Sequence, residues 1–572
     1  MRIVTHLSLC LSVFLARVTF AEPSAIIDYE SRFHPVVGEN GIVSSQEMKA
    51  SEIGLRVLKE GGNAIDSAVA VAYALAVTLP KAGNLGGGGF MILHSAKDKK
   101  AHAFDFREMA PAAATRDMYL AANGEVDEKR ARFDPTSVGV PGTVRGLAVI
   151  HEKFGSKPIK ELMQPAITLA RDGFPVSPGL AADLVTLEKR LKSSPEITKV
   201  FYKENGEPYA LGETLVQRDL AWSLEQIAEE GEGAFYEGAI AQKLVDFMEN
   251  EGGLITAADL KNYRVAGRVP VRGFYRGFEI VSMPPPSSGG VHLIQMLNIL
   301  ENTSLKAAGH NSARSIHLLT ETMKYAYADR SAHLGDPDYV EVPMEWLTSK
   351  SYGKELYAKI QADKATPSSE IKPGVAVLSE SGDTTHFSIM DKEGNAVSMT
   401  YTLNFSFGSL QMAPGTGILL NNEMDDFSAK PGVPNGYGLL GGEANAIQPG
   451  KRPLSSMTPT IVLKDGTPYL VTGSPGGSKI ITTVLQTVLN VVEFEMNIAE
   501  ASSLPRVHHQ WLPDTLLYES GISVDTLNNL RTLGHDPQLS PTMGSVQSVM
   551  KIGGRFEGYS DPRRPDAGTV AY

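Results

Sequence analysis

Two threonines of the sequence, Thr384 and Thr402, are expected to face each other across a β-hairpin. Strand-like patterns over residues 385–390 and 396–402 flank a turn centred on residue 393. Residues equally far from the centre of such a turn lie opposite each other in the antiparallel pair, and this applies to the two threonines. A threonine hydroxyl becomes a nucleophile when a neighbouring base takes its proton. The hairpin therefore predicts a pair of hydroxyl groups at its open end, where nucleophilic chemistry could take place.

A second predicted hairpin, centred on Gly466, collects polar residues at its own open end. Its register brings the pair Ser455-Ser456 alongside the pair Gly476-Gly477. The glycines precede an apolar helix predicted over residues 480–492. Backbone N–H groups that are free at a helix start can hold an anion or a developing oxyanion. An ordinary strand-to-helix turn has the same composition, so the glycines alone leave both interpretations open.

The segment that begins at Thr384 resembles the signature of the gamma-glutamyltranspeptidase family of N-terminal nucleophile hydrolases. The similarity continues through Phe407-Gly408 and extends from about residue 40 to the C-terminus. Further matching segments are Asp105 to Pro111, Asn421 to Phe427, Arg452 to Met457 and Gly473 to Gly477. The resemblance implies an α+β fold, a four-layer αββα sandwich in which two stacked, mainly antiparallel sheets are flanked by helices. It also implies cleavage between Asp383 and Thr384.

The implied cleavage divides the chain into a large subunit, residues 22–383, and a small subunit, residues 384–572. It gives Thr384 a free α-amine, whose ordinary pKa of about 8 suits a general base. In the precursor the same hydroxyl would attack the carbonyl of Asp383 and form an ester that water opens. Thr402 could hydrogen-bond the amine or the hydroxyl. His386 projects to the same strand face as Thr384, but the resemblance implies that the amine is the base.

The resemblance assigns one set of residues to the α-carboxylate and the reacting carbonyl of a γ-glutamyl substrate. Arg107, together with Ser455 and Ser456, would hold the carboxylate, and an arginine fork suits that planar anion. The N–H groups of Gly476 and Gly477 would stabilise the tetrahedral oxyanion.

A second set of residues is assigned to the α-ammonium and to a cover over the pocket. Asn404, Glu423 and Asp426 would accept hydrogen bonds from the ammonium, although some relatives carry glutamine at the position of Glu423. Tyr437 lies in a glycine- and proline-rich segment, residues 431–451, that is expected to form a long surface loop. This loop resembles a lid found in some family members.

The implied activity is a transfer in two steps. The hydroxyl of Thr384 attacks the γ-amide of glutathione or a related compound, and the resulting ester passes its γ-glutamyl group to water or to an amino acid or peptide acceptor. No cofactor and no metal site are predicted, because the pair His508-His509 lacks the further ligands of a metal array.

Composition and charge narrow the class of protein. The 572 residues are 42% hydrophobic and 21% charged, which is typical of a soluble globular protein. The length predicts two domains or one large multilayer domain. The formal net charge of −12 disfavours nucleic acid as a partner, since phosphates require a basic surface.

Residues 1–21 are predicted to be a cleavable secretion signal. Arg2 precedes a short apolar run from Leu7 to Leu15, and Thr19-Phe20-Ala21 resembles a cleavage site. The run is too short to span a bilayer, so no stable membrane insertion is expected. The single cysteine, Cys10, lies within the signal, which excludes thiol catalysis in the mature chain. Periplasmic or secreted location in a bacterium is expected.

The remaining elements are predicted from periodicity and turn residues. A helix opened by a capping box at Ser44 to Glu47 reaches about Glu60, and a core helix spans residues 64–79. The four glycines at 86–89 indicate close backbone packing beside a strand. Further expectations are strands at 89–94 and 101–106, mainly helices over 140–380 including one at 313–332, and an exposed or mobile segment at 363–382.

Two other functions remain open at this point. A related acylase that removes glutaryl-type side chains from β-lactams would act on a substrate without an α-ammonium. Asp426 would then be an unpaired charge in its pocket, which is costly. An exported binding protein that keeps the fold uncleaved would not need Thr384, Thr402 and the glycine pair together.

Overall fold

The computed structural model of the protein describes residues 31–371 and 384–572. In this part of the chain the strands are β1 Val36–Gly38, β2 Gly41–Ser45, β3 Gly88–Ser95, β4 Lys100–Phe106, β5 Phe174–Pro175, β6 Thr214–Leu215, β7 Ala266–Arg268, β8 Val271–Tyr275, β9 Phe278–Ser282, β10 Thr384–Asp391, β11 Ala396–Thr402, β12 Thr460–Lys464, β13 Thr467–Thr472, β14 Val507–His508, β15 Leu516–Tyr518, β16 Pro537–Leu539, β17 Gln547–Ile552, β18 Arg555–Ser560 and β19 Gly568–Ala571.

The α-helices of the same residues are α1 Met48–Lys59, α2 Ala64–Thr78, α3 Glu128–Phe133, α4 Thr143–Phe154, α5 Ile159–Asp172, α6 Pro178–Thr186, α7 Glu188–Leu191, α8 Pro195–Phe201, α9 Arg218–Glu230, α10 Gly233–Tyr236, α11 Ala239–Glu251, α12 Ala257–Asn262, α13 Gly289–Leu300, α14 Leu305–Ala308, α15 Ala313–His333, α16 Met344–Leu347, α17 Lys350–Lys359, α18 Ile480–Val492, α19 Ile498–Ser503 and α20 Val524–Thr532. Short 3₁₀ turns lie at Pro135–Ser137, Ser368–Glu370, Glu423–Asp426, Glu443–Asn445 and Gly477–Lys479.

Two large sheets form the centre of the described structure. One has the strand order β1-β18-β17-β13-β12-β9-β8, and the other has the order β19-β2-β10-β11-β3-β4-β7. The registered strand pairs within both sheets are antiparallel. Helices α1 and α2 pack on the second sheet, and α13 packs on the first. The predicted four-layer αββα sandwich is confirmed.

Strand β3 shows why both faces of the second sheet are apolar. Phe90 and Ile92 point into the core shared with the first sheet, whereas Met91 and Leu93 point into the core shared with the outer helices. Alternate residues of a strand project to opposite faces, so a strand buried on both faces requires a continuous apolar run. The run from Phe90 to Leu93 supplies it, and the layers are thereby held together by burial of apolar surface.

The two predicted hairpins are confirmed. In the first, Thr384 lies opposite Thr402 and Met390 lies opposite Ala396, as the turn centre requires. In the second, Thr460 lies opposite Thr472, although a bulge between Val462 and Leu463 shifts the register near the turn. The first hairpin belongs to one sheet and the second to the other, so the fold brings their open ends together from two layers.

The glycine run at 86–89 allows the backbones of neighbouring elements to touch, as predicted. A Cβ atom on Gly87 would lie 2.0 Å from the carbonyl oxygen of Thr402, and one on Gly89 would lie 2.5 Å from that of Thr400. Real side chains do not fit at such distances. The glycines therefore let β3 approach the strand that carries Thr402.

The helix predicted after Ser44 is present, but its predicted cap is wrong. Ser44 and Ser45 are the last residues of β2, where Ser45 pairs with Phe387 and Gly568 in neighbouring strands. The helix α1 begins at Met48, and the side chain of Glu47 accepts its capping hydrogen bond from the N–H of Ala50 at 3.0 Å. The serine backbone is paired within the sheet, so the cap of the helix is Glu47, the residue directly before Met48.

The core helix α2 and the helices α15 and α18 follow their predicted positions closely. Asn63 caps α2 with a capping box that includes Asp66. The strands β3 and β4 were likewise predicted within one or two residues. Within the part of the chain that the structure describes, no helix has the length and apolar character needed to cross a membrane.

Two expectations for the large segment before Thr384 are corrected. Residues 266–282 contain the strands β7, β8 and β9 and not helices, because edge pairing with β4 and β12 overrides the weak local pattern. Part of the segment predicted to be exposed is packed, since Ala365, Thr366, Ser368 and Ile371 are buried. The indole N–H of Trp511 donates to the carbonyls of Ser368 and Ile371. The remainder of that segment, Asp383 and the predicted signal at 1–21 lie outside the described residues.

Candidate active site

A pocket of about 300 Å³ opens where the two hairpins meet. Its walls include the residues predicted from both hairpins and from the segments around 107 and 423. The lining residues are Arg107, Arg330, Thr384, Thr402, Asn404, Glu423, Asp426, Tyr437, Leu439, Ser455, Ser456, Met457, Gly477 and Ile480. Of the predicted set, Gly476 is not in this lining and directly precedes Gly477.

The two threonines form one wall of the pocket. The hydroxyl of Thr384 donates to the hydroxyl oxygen of Thr402 at 3.4 Å. That oxygen also accepts from the backbone N–H of Asn404 at 2.8 Å, which fixes the Thr402 side chain. Asn404 has a positive φ of 77°, and this bend turns the chain away from the strand immediately after Thr402. The local geometry therefore places a fixed oxygen beside the Thr384 hydroxyl.

Arg107 lies at the end of β4 and forms a buried ion pair at another wall of the pocket. Its guanidinium donates to Glu423, to Asp426 at 2.5 Å and to the carbonyl of Pro453 at 3.3 Å. The arginine side chain is 1% exposed, and those of the two carboxylates are 1% and 10% exposed. A 3₁₀ turn, Glu423–Asp426, presents both acids on the same side. One end of the pocket thus offers a cation and acceptor oxygens in direct contact.

Burial shifts the protonation of this cluster. Loss of hydration raises the pKa of Asp426 and raises that of Glu423 well above its ordinary value, with the negative neighbours Glu108 and Asp426 adding to the shift at Glu423. Burial also raises the pKa of Glu108 to about 7. The pKa of Arg107 is raised because the three neighbouring acids outweigh its own desolvation. The arginine stays charged, and Glu423 tends towards the neutral acid.

Ser455 and Ser456 lie beside this cluster on the segment that precedes β12. The hydroxyl of Ser455 accepts from the N–H of Met457 at 3.1 Å. The hydroxyl oxygen of Ser456 accepts from a guanidinium nitrogen of Arg330 at 3.2 Å. Arg330 was missed by the sequence analysis. It lies in the last turn of α15, where a basic residue is an ordinary feature of helix ends and carries no signal of a site.

The loop at 431–451 folds over the pocket, and its central side chains are not exposed as a surface loop would suggest. Tyr437, Leu439 and Leu440 are buried. The hydroxyl of Tyr437 donates to the carbonyl of Asn404 at 2.7 Å, and its ring lies against Gly477, where an added Cβ atom would come within 2.5 Å of the ring. The tyrosine thus connects Asn404, two residues after Thr402, with the glycine turn.

The loop is also held by the acids of the 3₁₀ turn. Asp425 accepts from the N–H of Gly436 at 3.0 Å and from Arg132 at 3.1 Å, and the amide of Asn435 donates to Asp426 at 3.1 Å. Burial raises the pKa of Asp425 to about 6. These contacts place the loop in a closed position over the cluster formed by Arg107 and its acids.

His386 is buried between the sheets and does not line the pocket. Its ring nitrogens are hydrogen-bonded to the hydroxyls of Thr400 at 2.8 Å and Ser388 at 3.0 Å. A Cβ atom on Gly473 would lie 2.3 Å from the ring, so glycine at that position lets the second hairpin pack on the histidine. Burial lowers the pKa of His386 to about 3, and the ring is neutral at ordinary pH.

The paired histidines His508 and His509 are buried outside the pocket lining and are hydrogen-bonded within the protein. His508 contacts the hydroxyl of Thr482 at 2.8 Å, and His509 contacts Asp514 at 3.2 Å. A different trio, His317, Glu321 and His535, brings its potential ligand atoms within 4.8 Å of one another. The two imidazoles share a hydrogen bond of 2.7 Å, and Lys324 donates to the carboxylate at 3.1 Å. These bonds account for the trio without a metal ion.

Comparison with known proteins gives a consistent result over almost the whole chain. The family model for gamma-glutamyltranspeptidase matches residues 50–571. The glutathione hydrolase proenzyme of Escherichia coli (strain K12) is 53% identical over 557 residues, which cover 96% of each chain. The crystal structure of the gamma-glutamyltranspeptidase of Helicobacter pylori is 47% identical with a TM-score of 0.56, and the match covers 57% of this chain and 93% of that one. A cephalosporin acylase from Bacillus halodurans has a TM-score of 0.84 at 27% identity, over 96% and 99% of the two chains.

Proposed function

The chain belongs to the gamma-glutamyltranspeptidase family, as its signature segments predict, and we propose that it is a self-processing glutathione hydrolase and γ-glutamyl transferase. Its donors are glutathione and related γ-glutamyl amides. Its acceptors are water and the amines of amino acids or peptides.

The observation that carries this proposal is the pairing of two different groups in one small pocket. The hydroxyl of Thr384 lies beside Thr402 on one wall, and a buried cation with acceptor oxygens, Arg107 with Asp426 and Glu423, lies on another. A γ-glutamyl group has a reactive amide at one end and a zwitterionic α-carbon at the other. The two walls match these two ends.

In the proposed mechanism the α-amine of Thr384, freed by cleavage after Asp383, accepts the proton of the Thr384 hydroxyl. The oxygen forms a bond to the γ-carbonyl carbon, and the N–H groups of Gly476 and Gly477 stabilise the resulting oxyanion. Collapse of this intermediate breaks the amide bond, and the leaving amine takes the proton from the α-amine. Water or an acceptor amine then attacks the ester by the same steps and regenerates the hydroxyl.

In the proposed binding mode, Arg107, Ser455 and Ser456 hold the α-carboxylate of the donor, and Asn404, Glu423 and Asp426 hold its ammonium. Arg107 is paired with both acids, so the donor's own two charges rearrange this pairing without adding net charge. A neutral Glu423 is compatible with this role, because a protonated acid retains an oxygen that accepts a hydrogen bond. Tyr437 and the loop around it then close over the bound group.

The same fold serves a cephalosporin acylase, so the charge of the pocket must decide between the two activities. A glutaryl group brings a carboxylate but no ammonium, and it would leave Asp426 buried without a compensating ligand charge. Burial of an unpaired carboxylate is costly, whereas the γ-glutamyl ammonium removes that cost. The presence of Asp426 in the pocket therefore favours the γ-glutamyl donor.

The remaining parts of the proposal concern processing and location. Residues 1–21 serve as a signal peptide, and the mature precursor, beginning at Glu22, is exported to the periplasm of a bacterium or secreted. Cleavage before Thr384 gives subunits of residues 22–383 and 384–572 that stay together as a heterodimer. Strand β10, which begins with Thr384, pairs with β2 of the large subunit and with β11 of the small one, and this pairing supports a stable association.

A mass measurement combined with product analysis tests the proposal. The mature protein is expected to give two masses that correspond to fragments beginning near Glu22 and at Thr384. With glutathione it should release glutamate, and addition of a dipeptide should divert part of the γ-glutamyl group to a new γ-glutamyl peptide. A single uncleaved chain without hydrolysis of glutathione would instead indicate a binding protein, and preference for glutaryl amides would indicate an acylase.

A further inference from the structure

Arg330 is a buried cation that the proposed mechanism does not use. It lies in the last turn of α15, is 4% exposed and lines the pocket. Among residues 31–371 and 384–572, no carboxylate oxygen lies within 4.0 Å of the Arg330 guanidinium, which is the distance limit of an ion pair. A buried arginine almost always has an acidic partner. Its position therefore points to a negative charge that arrives with a ligand.

The guanidinium of Arg330 donates two hydrogen bonds, one to Ser456 of the pocket and one to Ser288 behind it. One nitrogen donates to the hydroxyl oxygen of Ser456 at 3.2 Å, and another donates to the hydroxyl oxygen of Ser288 at 2.9 Å. Ser288 in turn donates to the carbonyl of Ser455 from its hydroxyl at 2.7 Å and from its N–H at 2.8 Å. Arg330 thus fixes both the Ser456 side chain and the backbone of Ser455.

The first of these bonds determines the direction of the Ser456 hydroxyl proton. A hydroxyl oxygen that accepts from a cation directs its own O–H away from that cation. In this geometry the O–H is left to donate to another acceptor, and Ser456 lines the pocket. An acceptor that also carries negative charge gains from the nearby guanidinium. A carboxylate meets both conditions.

The helix that carries Arg330 is itself fixed to the opposite side of the pocket. Tyr327, one turn earlier in α15, donates from its hydroxyl to the carbonyl of Ser478, directly after the glycine turn. Residues three apart on a helix lie on the same face. The end of α15 therefore spans from the glycine turn at Gly477 to the serines. Burial lowers the pKa of Arg330 to about 10, which keeps it charged at neutral pH.

We propose that Arg330 is a positioning residue for donor specificity: it orients the Ser456 hydroxyl and, through Ser288, the Ser455 backbone towards the α-carboxylate of the donor. This inference rests on the proposed function and extends it to a residue that does not touch the reacting atoms. It makes the pocket selective for donors with a charged α-carboxylate, over and above the contact that Arg107 provides.

A comparison of two donors tests the role of Arg330. One is a γ-glutamyl anilide, and the other is the same compound with its α-carboxylate converted to a carboxamide. Arg330→Gln is expected to lower kcat/KM on the first donor by about 10- to 100-fold, mainly through a higher KM, and to change it by no more than about threefold on the second. Arg330→Lys should recover part of the loss because it restores the charge. Equal losses on both donors, or a lysine variant no better than glutamine, would overturn the proposal.

A double-mutant cycle tests whether Arg330 acts through Ser456. The variant with both Arg330→Gln and Ser456→Ala should lose less than the product of the two single losses, since the hydroxyl that carries part of the arginine's effect is already absent. Losses that multiply would show that the arginine does not act through this serine. Arg145→Gln removes a buried arginine outside the pocket lining. It should change kcat/KM on both donors by the same factor, so it serves as the control for general effects on packing.

The cleaved fraction of each variant is compared with the unchanged protein, so that slow maturation is not counted as weak binding. If the unchanged protein does not hydrolyse glutathione, the proposed function is wrong. If it does so and Arg330→Gln loses kcat/KM equally on the two donors, only the inference about Arg330 is wrong.

Discussion

The hydroxyl oxygens of Thr384 and Thr402 lie 3.4 Å apart at the paired ends of two neighbouring strands. The second oxygen is held by the N–H of Asn404, so its position relative to Thr384 depends on the backbone and not on a flexible contact. This arrangement gives the Thr384 hydroxyl a fixed hydrogen-bond partner. It also links the two threonines to the loop at 431–451, because Tyr437 donates to the carbonyl of the same Asn404.

Self-cleavage is expected to depend on the Thr384 hydroxyl. Thr384→Ala should remain one chain of full mature length, because no oxygen is left to attack the carbonyl of Asp383, and Thr384→Ser should still be cleaved. Thr385→Ala is the matched control, since the next residue of the strand projects to the opposite face. Intact-mass measurement during incubation of the purified precursors follows the reaction. Cleavage of Thr384→Ala at the same bond would refute an attack by this hydroxyl.

Asp426 is expected to select donors that carry an α-ammonium. Asp426→Asn keeps the shape of the side chain but removes the charge, and it should lower kcat/KM on γ-glutamyl amides by about 10- to 100-fold. On glutaryl amides, which lack the ammonium, the loss should be much smaller. The ratio of the two rates is the measurement, and it is independent of how much active protein each preparation contains. An unchanged ratio would exclude Asp426 as the ammonium partner.

The pH dependence of acylation should be set by the α-amine of Thr384 and not by His386. The pKa of His386 is lowered to about 3 by burial, so this ring is neutral where an amine titrates. The matured fraction of His386→Asn should therefore keep the limb that rises as the amine loses its proton. Pre-steady-state rates of a chromogenic donor between pH 5 and 9 provide the profile. Loss of the limb in correctly cleaved His386→Asn would make the histidine the base.

The same lowered pKa has a consequence for stability. In the folded protein the pKa of His386 lies below its ordinary value of about 6.5. The contribution of the neutral ring to the stability of the fold is therefore fully present above about pH 6.5. This contribution is lost as the pH falls from about 6.5 towards 3, since the unfolded chain then binds a proton that the folded protein does not. His386→Asn should thus show a smaller fall of melting temperature between pH 7 and pH 5 than the unchanged protein.

The closed position of the lid is expected to depend on the Tyr437 hydroxyl. Tyr437→Phe removes the bond to the Asn404 carbonyl and should favour lid opening by about 1 kcal/mol. Hydrogen exchange of the amides at 435–440 should become several-fold faster, and KM for the donor should rise by a similar factor. Tyr202→Phe removes a comparable bond, to the carbonyl of Leu184 at 2.7 Å, in a different part of the chain and should leave both quantities unchanged. Equal exchange in both variants would show that the hydroxyl does not hold the lid.

Local features of the sequence were sufficient for the hairpins. The turn centre at residue 393 and the alternation of the flanking residues determine that Thr384 faces Thr402, because pairing across a tight turn is fixed by short-range geometry. The apolar helix 480–492 and the glycine run at 86–89 were also predictable, because each is specified by a short, continuous stretch of sequence. The signature segments added Arg107, Asp426 and the serine pair, whose presence in one pocket no local pattern could establish.

The cap of α1 and the strands β7 to β9 were not predictable from local patterns. At Ser44 and Ser45 the sequence satisfies a capping box, yet the serine backbone is paired in the sheet. Strands at 266–282 form because β4 and β12 offer them unpaired edges. In both places a partner distant in the sequence provides hydrogen bonds that outweigh the local preference.

By itself, the sequence determined that Thr384 faces Thr402 and that the fold is layered, since these depend on spacing, alternation and a long signature. Only the tertiary structure decided how the surrounding groups are paired and how deeply they are buried. The pairing of Arg107 with Glu423 and Asp426 joins residues more than 300 positions apart, and Arg330 reaches Ser456 across 126 positions. The burial that lowers the pKa of His386 and raises that of Asp426 likewise arises from packed layers. Desolvation depends on every neighbour in space, and that set exists only after the chain has folded.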